Sequence, residues 1–541
     1  MEKRIILAFI LSFAVLYGFR ALFSPPEPTS RPPASAQIPT PPGANPSVES
    51  AEPVGRASPD RDIRADKPED LVVDTPLYTA TVSNIGGVLK SYKLKAYSDA
   101  DGHPIELIDE KSANKVGWPL ALATGDTVLD ELLTKASFVA RREGDRISLE
   151  FAAKGVDSQK IVQFDPKNYG FSLTVKVTNG GRNVSPAVVW QAGFGDPMAA
   201  DSTKRNAVYE VDGAFKRIGL GSIKEEQSLT AVRAGVEDQY FLAMFLSPEN
   251  PLAVKVNKQE FTGADGKAVP ELHVSARMPD SKPLRVYVGP KNRDWLSAAD
   301  PRLASVVSYG WFEFIARPLL FGLLFIHTYI GNFGWSIILL TLAINFLLFP
   351  LRLKQQISMQ QMQKIQPQMK TLQDKYKKLK STDPRRADLQ KEMMQLYKEH
   401  GVNPMGGCLP LLLQMPVFFG LYSMLSVSIE LRGAPWILWI KDLSQPEHLW
   451  LPVLPVLMAV SMVIQQKMTP TTVDPAQAKM MMIMPVMFAF LFLWAQSGLA
   501  LYWLTGNVVG IGQQFFINKY WSPQADAKLR ARSKPKEARD K

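Results

Sequence analysis

Residues 403–420, NPMGGCLPLLLQMPVFFG, combine the character of a membrane-spanning helix with residues that such helices usually avoid. The run from 409 to 422 is apolar enough for lipid, yet Pro410 and Pro416 interrupt it. Gln414 lies between the prolines and brings a primary amide into the run. Polar side chains and unpaired carbonyls are tolerated at membrane depth where they face protein or a water-filled cavity. The stretch therefore predicts a helix that lines a polar cavity in a membrane-spanning bundle.

The composition limits the classes of function that the chain can have. Its 541 residues leave room for two or more domains. It has 62 Lys and Arg against 51 Asp and Glu, a basic balance that is typical of proteins with anionic lipid or nucleic-acid partners. Cys408 is the single cysteine, so no intramolecular disulfide can form. No GxxxxGK[ST] loop and no HExxH motif occurs, so we expect no enzyme activity, no cofactor and no metal.

The N-terminal part predicts an anchor followed by a linker. In residues 1–23, Lys3 and Arg4 precede the apolar run 5–18, which is the layout of a signal peptide or a signal anchor. The residues after this run fit a cleavage site poorly, so we favour an uncleaved transmembrane anchor with a cytoplasmic N-terminus; a cleaved signal is the alternative. Residues 24–68 are rich in Pro, Ala and Ser and predict an extended linker, because they cannot bury a core.

Residues 69–300 predict an antiparallel β-sandwich domain. Stretches such as RISLEFAAKG (146–155) and GFSLTVKVTNGG (170–181) alternate between apolar and polar residues and end in turn-forming residues. The segment holds no clustered acid pair, no catalytic-triad spacing and no run of metal ligands. We therefore expect a structural or docking module rather than an active site.

The remaining chain predicts a membrane-embedded helical domain. Residues 301–331 pair an apolar face with Glu313, Arg317 and His327, which indicates an amphipathic helix in the membrane interface, with a short span as the alternative. A five-span core over residues 332–521 follows, so the anchor and the core give a multi-pass α-helical protein with six spans. Several core spans are shorter than the ~20 residues that a full bilayer requires. The five predicted spans are 335–351, 408–427, 451–464, 480–494 and 499–516.

The distribution of charge predicts the topology in the membrane. Residues 352–403 hold 12 Lys and Arg against 5 acidic residues, and residues 518–541 hold 8 against 3. With a cytoplasmic N-terminus, six spans place both segments in the cytoplasm and the β domain in the periplasm of an inner-membrane protein. Apolar residues of 352–403 recur at heptad spacing before an STDP turn and at helical spacing after it, which predicts a cytoplasmic helical hairpin. Its cationic faces are either solvated or a surface for a partner.

Four polar residues fall near the middle of the predicted spans, namely Thr341, Asn345, Gln414 and Asn507. Thr341 and Asn345 are four residues apart and share one helix face. A single buried amide could simply join two helices, but several at one depth predict a shared polar cavity. No Asp or Glu lies at mid-depth in the five core spans, which argues against a proton-coupled transporter.

Four stretches of the chain are highly specific, namely VNPMGGCLPLLLQMPVFFGLY (402–422), LWIKDLS (438–444), QKMTPTTVDPAQAKMMMIMP (466–485) and SGLALYWLTGN (497–507). In these motifs, and nearly from end to end, the chain resembles the YidC family of membrane-protein insertases of Gram-negative bacteria. The resemblance implies an insertase and chaperone for nascent inner-membrane proteins, which acts alone or with the Sec translocase. It also implies a hydrophilic groove that opens to the cytoplasm and to lipid.

The resemblance implies roles for several residues and shows one departure. Thr341 matches the substrate-contacting threonine of the family, and Tyr502 and Trp503 match an aromatic pair. Asn345 stands where members usually carry an arginine in the groove. Arg352 lies seven residues further along the same helical stripe, and we hypothesise that it attracts acidic segments from the cytoplasmic mouth. A cation that simply flanks a span is the alternative. The predicted groove residues are Thr341, Asn345, Arg352, Gln414, Tyr502, Trp503 and Asn507.

Two other classes remain open at this point. One is a secondary transporter with a periplasmic domain, which predicts inverted repeats and an intramembrane ion site; neither is visible in the sequence. The other is a structural assembly factor without insertase activity. Depletion in cells separates these classes, because only loss of an insertase leaves small membrane proteins uninserted.

The basic tail 522–541 and the hairpin predict a contact with the ribosome, because their cations can neutralise phosphates of ribosomal RNA. We expect deletion of residues 522–541 to weaken the binding of the detergent-solubilised protein to ribosomes. Added salt should weaken the binding of the intact protein in the same way. Unchanged affinity after the deletion would favour anionic lipid as the partner of the tail.

Overall fold

The computed structural model describes most of the chain from residue 61 onward. The anchor 1–23, the first part of the linker, the turn of the hairpin, Gly406-Gly407 and the tail 522–541 lie outside the described residues. The described ranges are 61–99, 102–191, 193–196, 205–247, 249–263, 266–277, 282–376, 386–400, 409–447, 449–468 and 475–521.

The first half of the described chain is a β domain. Its strands, in chain order, are β1 Asp70–Asp74, β2 Tyr78–Ser83, β3 Leu89–Ser98, β4 Pro104–Glu106, β5 Ile108–Asp109, β6 Ala121–Ala123, β7 Val139–Glu143, β8 Arg146–Ala153, β9 Val156–Asp165, β10 Gly170–Asn179, β11 Arg182–Val184, β12 Ala187–Trp190, β13 Gly193–Phe194, β14 Asn206–Val211, β15 Ala214–Gly219, β16 Gln227–Ala231, β17 Arg233–Glu237, β18 Phe241–Leu246, β19 Leu252–Thr262, β20 Ala268–Arg277 and β21 Leu284–Pro290.

These strands pair in an antiparallel manner in four sheets. The largest runs β15-β14-β17-β18-β21-β10-β9-β8-β7, with β11 added beside β10. A second runs β16-β19-β20-β12-β6, a third β1-β2-β3-β4, and β13 pairs with β5. Burial alternates along β9 and β10, whereas every residue of β17 and β18 is buried, so these two central strands are covered on both faces. The antiparallel β domain that the sequence predicts is confirmed.

The β domain begins before the predicted boundary at residue 69. Ile63 forms an antiparallel bridge with Ala152 through two backbone hydrogen bonds of 2.8 and 2.9 Å. The Ala65 amide donates to the Ser137 carbonyl at 3.0 Å. The last residues of the predicted linker therefore follow the edge of the β domain.

The second half of the described chain is helical. The helices of the whole described chain are α1 Glu110–Val116, α2 Thr127–Lys135, α3 Arg293–Ala299, α4 Glu313–Ile330, α5 Phe333–Leu347, α6 Phe349–Tyr376, α7 Arg386–Glu399, α8 Leu409–Val427, α9 Val453–Met468, α10 Pro475–Leu491 and α11 Ser497–Phe516. Short 3₁₀ segments include Pro301–Val306, Ile429–Leu431 and Phe492–Trp494, and α11 continues into the π-helical segment Ile517–Trp521.

A sharp bend separates α5 from α6. The two helix axes meet at 59° around Leu348. Pro350 is the second residue of α6, where its missing N–H is tolerated, whereas in a continuous helix it would break the hydrogen-bond ladder. The bend lets α6 leave the bundle and run beside α7, where the Tyr376 hydroxyl donates to Glu392 at 2.8 Å. This arrangement has the form of the predicted hairpin, although its first helix begins at Phe349 rather than at residue 352.

The lengths of the apolar helices differ from the sequence expectation. Within the described ranges, Gly310–Ile330 is long and apolar enough by itself to cross a membrane, and α5 with α6 qualifies as a bent pair. The sequence placed the first of these segments in the interface. The apolar helices Gln414–Val427, Val453–Met468 and Ile483–Trp494 are shorter than a full span. The number of spans therefore stays a prediction.

Buried ion pairs fix the connection between the two domains. Arg233 pairs with Glu210 and with Asp300, and its Nη2 lies 2.7 Å from the Asp300 carboxylate. Asp300 also caps the 3₁₀ segment that leads towards α4. Asn292, which caps α3, donates through Nδ2 to Glu430 at 3.0 Å. The path from the last strand to the helical domain is thus held by charged and capping side chains.

A second set of contacts joins the β domain to the end of α8. Arg432 is buried and forms an ion pair of 2.5 Å with Asp196. Its Nη1 donates to the Ser98 carbonyl at 2.9 Å, and Gln239 Nε2 donates to the Ser426 carbonyl at 2.7 Å. Removing one partner of a buried ion pair is costly, because the other charge stays buried without compensation. The β domain therefore fixes the helix that carries Gln414.

Candidate functional site

A polar cavity of about 450 Å³ lies where α5, α6, α8, α9, α10 and α11 meet. Half of the residues around it carry primary amides, and Arg352 is the one charged residue among the described residues that line it. The lining consists of Asn345, Arg352, Gln355, Gln356, Met359, Gln414, Gln465, Met484, Tyr502, Trp503, Gly506, Asn507, Gly510, Gln513, Gln514 and Ile517.

The helix α11 supplies the largest share of this lining. Asn507, Gly510 and Gln514 are three and four residues apart, so they project from one face of α11. Asn507 Nδ2 donates to the Ser461 hydroxyl at 2.9 Å, and Gln514 Nε2 donates to the Met468 carbonyl at 2.7 Å. Both amides therefore tie α11 to α9 while they border the cavity.

Gly510 permits a close approach of three helices. A Cβ atom at this position would lie 2.7 Å from Gln465 Nε2 on α9 and 3.5 Å from Arg352 Nη1 on α6. The first distance is shorter than a van der Waals contact allows. A side chain at residue 510 would therefore push Gln465 away and narrow the cavity beside Arg352.

Arg352 is half-buried and has an amide as its partner. Its Nη1 donates to Gln513 Oε1 at 3.1 Å, and Gln513 Nε2 donates to the Asn345 carbonyl at 3.3 Å. That carbonyl lies in the last turn of α5, where carbonyls lack partners within their own helix. In the described part of the chain no carboxylate lies within ion-pair distance of Arg352. The guanidinium therefore keeps its charge uncompensated beside the cavity.

Asn345 lies at the deep end of the same wall and is 4% exposed. Its Nδ2 donates to the Thr341 carbonyl at 2.7 Å. Its Oδ1 is buried and has no hydrogen-bond partner among the described residues. Gln356, on α6, shows the opposite case, because its Nε2 is buried without an acceptor in the same part of the chain.

The side chain of Gln414 forms a hydrogen bond across the cavity. Its Nε2 donates to the Tyr502 hydroxyl at 2.7 Å, which joins α8 to α11. Pro410 is the second residue of α8, a position where proline does not disturb the helix, and Pro416 lies inside it. Within the described residues 409–420, Gln414 is the one residue that lines the cavity.

Trp503 forms the centre of an aromatic cluster next to the cavity. Its ring centroid lies 5.1 Å from that of Phe418 on α8 and 5.5 Å from that of Phe488 on α10. Phe492, in the 3₁₀ segment after α10, is at 5.6 Å. The tryptophan thus links α8, α10 and α11 through ring contacts, which contribute beyond their buried area.

The structure places six of the seven predicted groove residues around one cavity, and Thr341 apart from it. The Thr341 side chain is fully buried, and its hydroxyl donates to the Ile337 carbonyl at 2.6 Å. The sequence did not predict five of the eight amide side chains that line the cavity. Gly510 and Gln514 could have been predicted, because they follow Asn507 at helical spacing on the same face of α11. No local sequence pattern indicates the other lining amides, namely Gln355, Gln356, Gln465 and Gln513.

The outer surfaces of α8 and α10 next to the cavity are apolar. Large apolar side chains on these helices are exposed, which indicates a surface covered by lipid or by another apolar partner. They are Met415, Phe419 and Tyr422 on α8, and Ile483, Met484, Val486, Met487, Phe490 and Leu491 on α10.

Helices with apolar outer faces, a polar cavity among them and an attached β domain are the features of a membrane protein whose helical domain encloses a polar cavity. Comparison with known families gives the same assignment. The family described as 60Kd inner membrane protein matches residues 325–524, and the YidC periplasmic domain matches residues 70–321. The chain belongs to the YidC family of membrane protein insertases. This is an insertase family and not an enzyme family, as the sequence predicted.

Individual relatives match over nearly their whole length. The membrane protein insertase YidC of Citrifermentans bemidjiense is 36% identical over 546 residues, which cover 96% of this chain and 99% of the relative. That of Geobacter sulfurreducens is 37% identical over 540 residues, with 96% and 98% covered. A crystal structure of an active YidC insertase with the first transmembrane domain resolved is 22% identical, covers 86% of this chain and 95% of its own, and has a TM-score of 0.37.

The aromatic cluster predicts a large effect of one substitution. We expect Trp503→Ala to lower the free energy of unfolding in detergent micelles by about 3 kcal/mol, because it leaves a cavity among three phenylalanine rings. Trp494→Ala is the matched control, since Trp494 is 65% exposed and should change stability by less than about 1 kcal/mol. Equal losses in the two variants would contradict a central packing role for Trp503.

Proposed function

We propose that this chain is an insertase and chaperone that inserts and helps fold inner-membrane proteins, alone or with the Sec translocase. One observation carries the proposal: the polar cavity adjoins the exposed apolar faces of α8 and α10. A nascent client has the same two parts, a polar segment that must cross the membrane and an apolar segment that must enter lipid. The cavity receives the polar segment, while the apolar segment moves along the exposed apolar faces of α8 and α10.

The energetics of this path need no nucleotide. Burying an apolar segment in lipid supplies about 25 cal/mol per Å² of its surface. A polar loop in bare hydrocarbon loses its hydrogen bonds at a cost of several kcal/mol for each group. The amides around the cavity replace part of those bonds, so the apolar segment can supply the driving force by itself.

The proposed topology has six spans, formed by the anchor 1–23 and the five core spans. The termini and the hairpin of α6 and α7 are cytoplasmic, and the β domain is periplasmic. The clusters of Lys and Arg in 352–403 and 518–541 support this orientation. Short apolar helices such as Val453–Met468 support a locally thinned bilayer, which shortens the path of the polar segment. The lipid bilayer, the Sec translocase and the ribosome, through the tail and hairpin, are the proposed partners.

The secondary transporter is the weaker alternative. An ion-coupled transporter usually has an acidic residue at mid-membrane, and the described lining of the cavity contains none. The relatives that match over nearly full length are named membrane protein insertases.

A minimal reconstitution tests the insertase function. We expect the purified protein in liposomes to insert a small single-span client without ATP, because the apolar segment provides the driving force. Protease protection of the translocated loop measures insertion, and empty liposomes give the background. A strict ATP requirement in this system would contradict nucleotide-independent insertion. Absence of insertion above background would contradict the insertase function itself.

Arg352 is proposed to attract acidic client segments. It borders the cavity, its partner is the neutral amide of Gln513, and no carboxylate in the described chain compensates its charge. Asn345 contributes hydrogen bonding at the deeper position but no charge. An acidic segment inside the cavity would therefore meet Arg352 as the one cation among the described lining residues.

We expect Arg352→Gln to slow insertion of a client with an acidic tail by about tenfold, because a charge-assisted hydrogen bond is replaced by a neutral one. A client with a neutral tail should be inserted at nearly the wild-type rate. Lys354→Gln is the matched control, since Lys354 is an exposed cation two residues further on, and Asn345→Ala shows the effect of losing polarity alone. If Arg352→Gln slows both clients equally, or slows neither, Arg352 is an ordinary flanking cation.

A further inference from the structure

One chemical group, the primary amide, predominates among the side chains that line the cavity. Eight of the sixteen lining residues are Asn or Gln, against one cation and, among the described lining residues, no acid. A primary amide carries donors and an acceptor without a net charge. A peptide unit offers the same complement, one N–H donor and one C=O acceptor. The wall therefore complements the backbone of a polypeptide, which is common to all clients.

Two of these amides have unpaired buried atoms. Asn345 Oδ1 lacks a donor and Gln356 Nε2 lacks an acceptor among the described residues. Both residues are at least nine-tenths buried, with exposures of 4% and 9%. Leaving a buried polar atom unpaired is unfavourable, so such atoms indicate a partner that binds there. One missing donor and one missing acceptor are the two groups of a peptide unit.

We propose that the cavity binds the peptide backbone of the client's polar segment. Asn345 Oδ1 accepts from a client N–H, and Gln356 Nε2 donates to a client carbonyl. Recognition by these two amides is independent of side-chain charge, so it extends the range of clients to neutral polar segments, while Arg352 adds affinity for acidic ones. This inference rests on the proposed insertase function.

A purely structural role does not account for the same atoms. Other amides of the wall do act between helices, since Asn507 bonds to Ser461 and Gln513 bridges Arg352 and the Asn345 carbonyl. The Oδ1 atom of Asn345 and the Nε2 atom of Gln356 make no such contact within the described chain. They can gain a partner from a client without breaking a bond between helices.

The test uses the intact protein in liposomes and two synthetic clients that share one apolar segment. The translocated loop of the first client consists of glycine and serine. The second client, called the sarcosine client, has sarcosine in place of each glycine and N-methylserine in place of each serine, which removes every backbone N–H of the loop but keeps the carbonyls and adds no charge. The variants are Asn345→Leu and Gln356→Met, which remove the amides at similar volume. Gln360→Met is the matched control, because Gln360 lies one turn further along α6, outside the cavity, and bonds to Asn518.

The expected pattern differs between the two amides. Asn345→Leu should slow insertion of the glycine–serine client by about three- to tenfold and leave the sarcosine client unchanged, since only the loop of the first client can donate a backbone N–H. Gln356→Met should slow both clients by a similar factor, because both keep their carbonyls. Gln360→Met should slow neither. A loss of helix packing would slow both clients in Asn345→Leu, so the sarcosine client separates binding from stability.

Two results would overturn the inference while the proposed function stands. One is an equal effect of Asn345→Leu on both clients, and the other is a Gln356→Met variant that behaves like Gln360→Met. A wild-type protein that inserts neither client, nor a client with an acidic tail, would overturn the proposed function and the inference with it. Insertion of only the acidic client would overturn the inference alone.

Discussion

Polar groups in an apolar helical bundle must find hydrogen-bond partners inside the protein, because hydrocarbon offers none. This constraint organises the helical domain. Asn507 bonds to Ser461, Gln414 bonds to Tyr502, and Gln513 holds both Arg352 and a terminal carbonyl of α5. Each bond brings two helices together around the same point. The cavity is therefore a consequence of the same hydrogen bonds that hold the helices, and its wall is polar wherever a helix contributes an amide.

The β domain takes part in this arrangement through its contacts with the end of α8. The buried pair of Arg432 and Asp196, with the bond from Gln239 to the Ser426 carbonyl, fixes that end of the helix. Gln414 lies on the same helix and reaches the cavity from there. The contribution of the β domain to the site is therefore the position of α8.

The departure at Asn345 shows how the family architecture accommodates a different distribution of charge. Asn345 loses the cation that the resemblance predicts, and Arg352 brings one to the same cavity from the other side of the bend at Leu348. Gly510 makes room for Gln465 next to Arg352, because a Cβ atom at residue 510 would lie only 2.7 Å from Gln465 Nε2. The charge thus stands nearer to the hairpin, while the deeper part of the wall is neutral.

The sequence by itself determined the antiparallel β domain, the apolar helices and six of the residues that line the cavity, because alternation, hydropathy and mid-span polarity are local patterns. It also predicted that Arg352 would share a wall with Asn345. The tertiary structure alone decided that Thr341 turns its hydroxyl to its own helix, and that Gln355, Gln356, Gln465 and Gln513 converge. From sequence alone, a glutamine near a helix end is predicted to be an ordinary solvent-exposed residue. Only the crossing of six helices, set by the bend before Pro350 and the close approach at Gly510, brings their amides to one place.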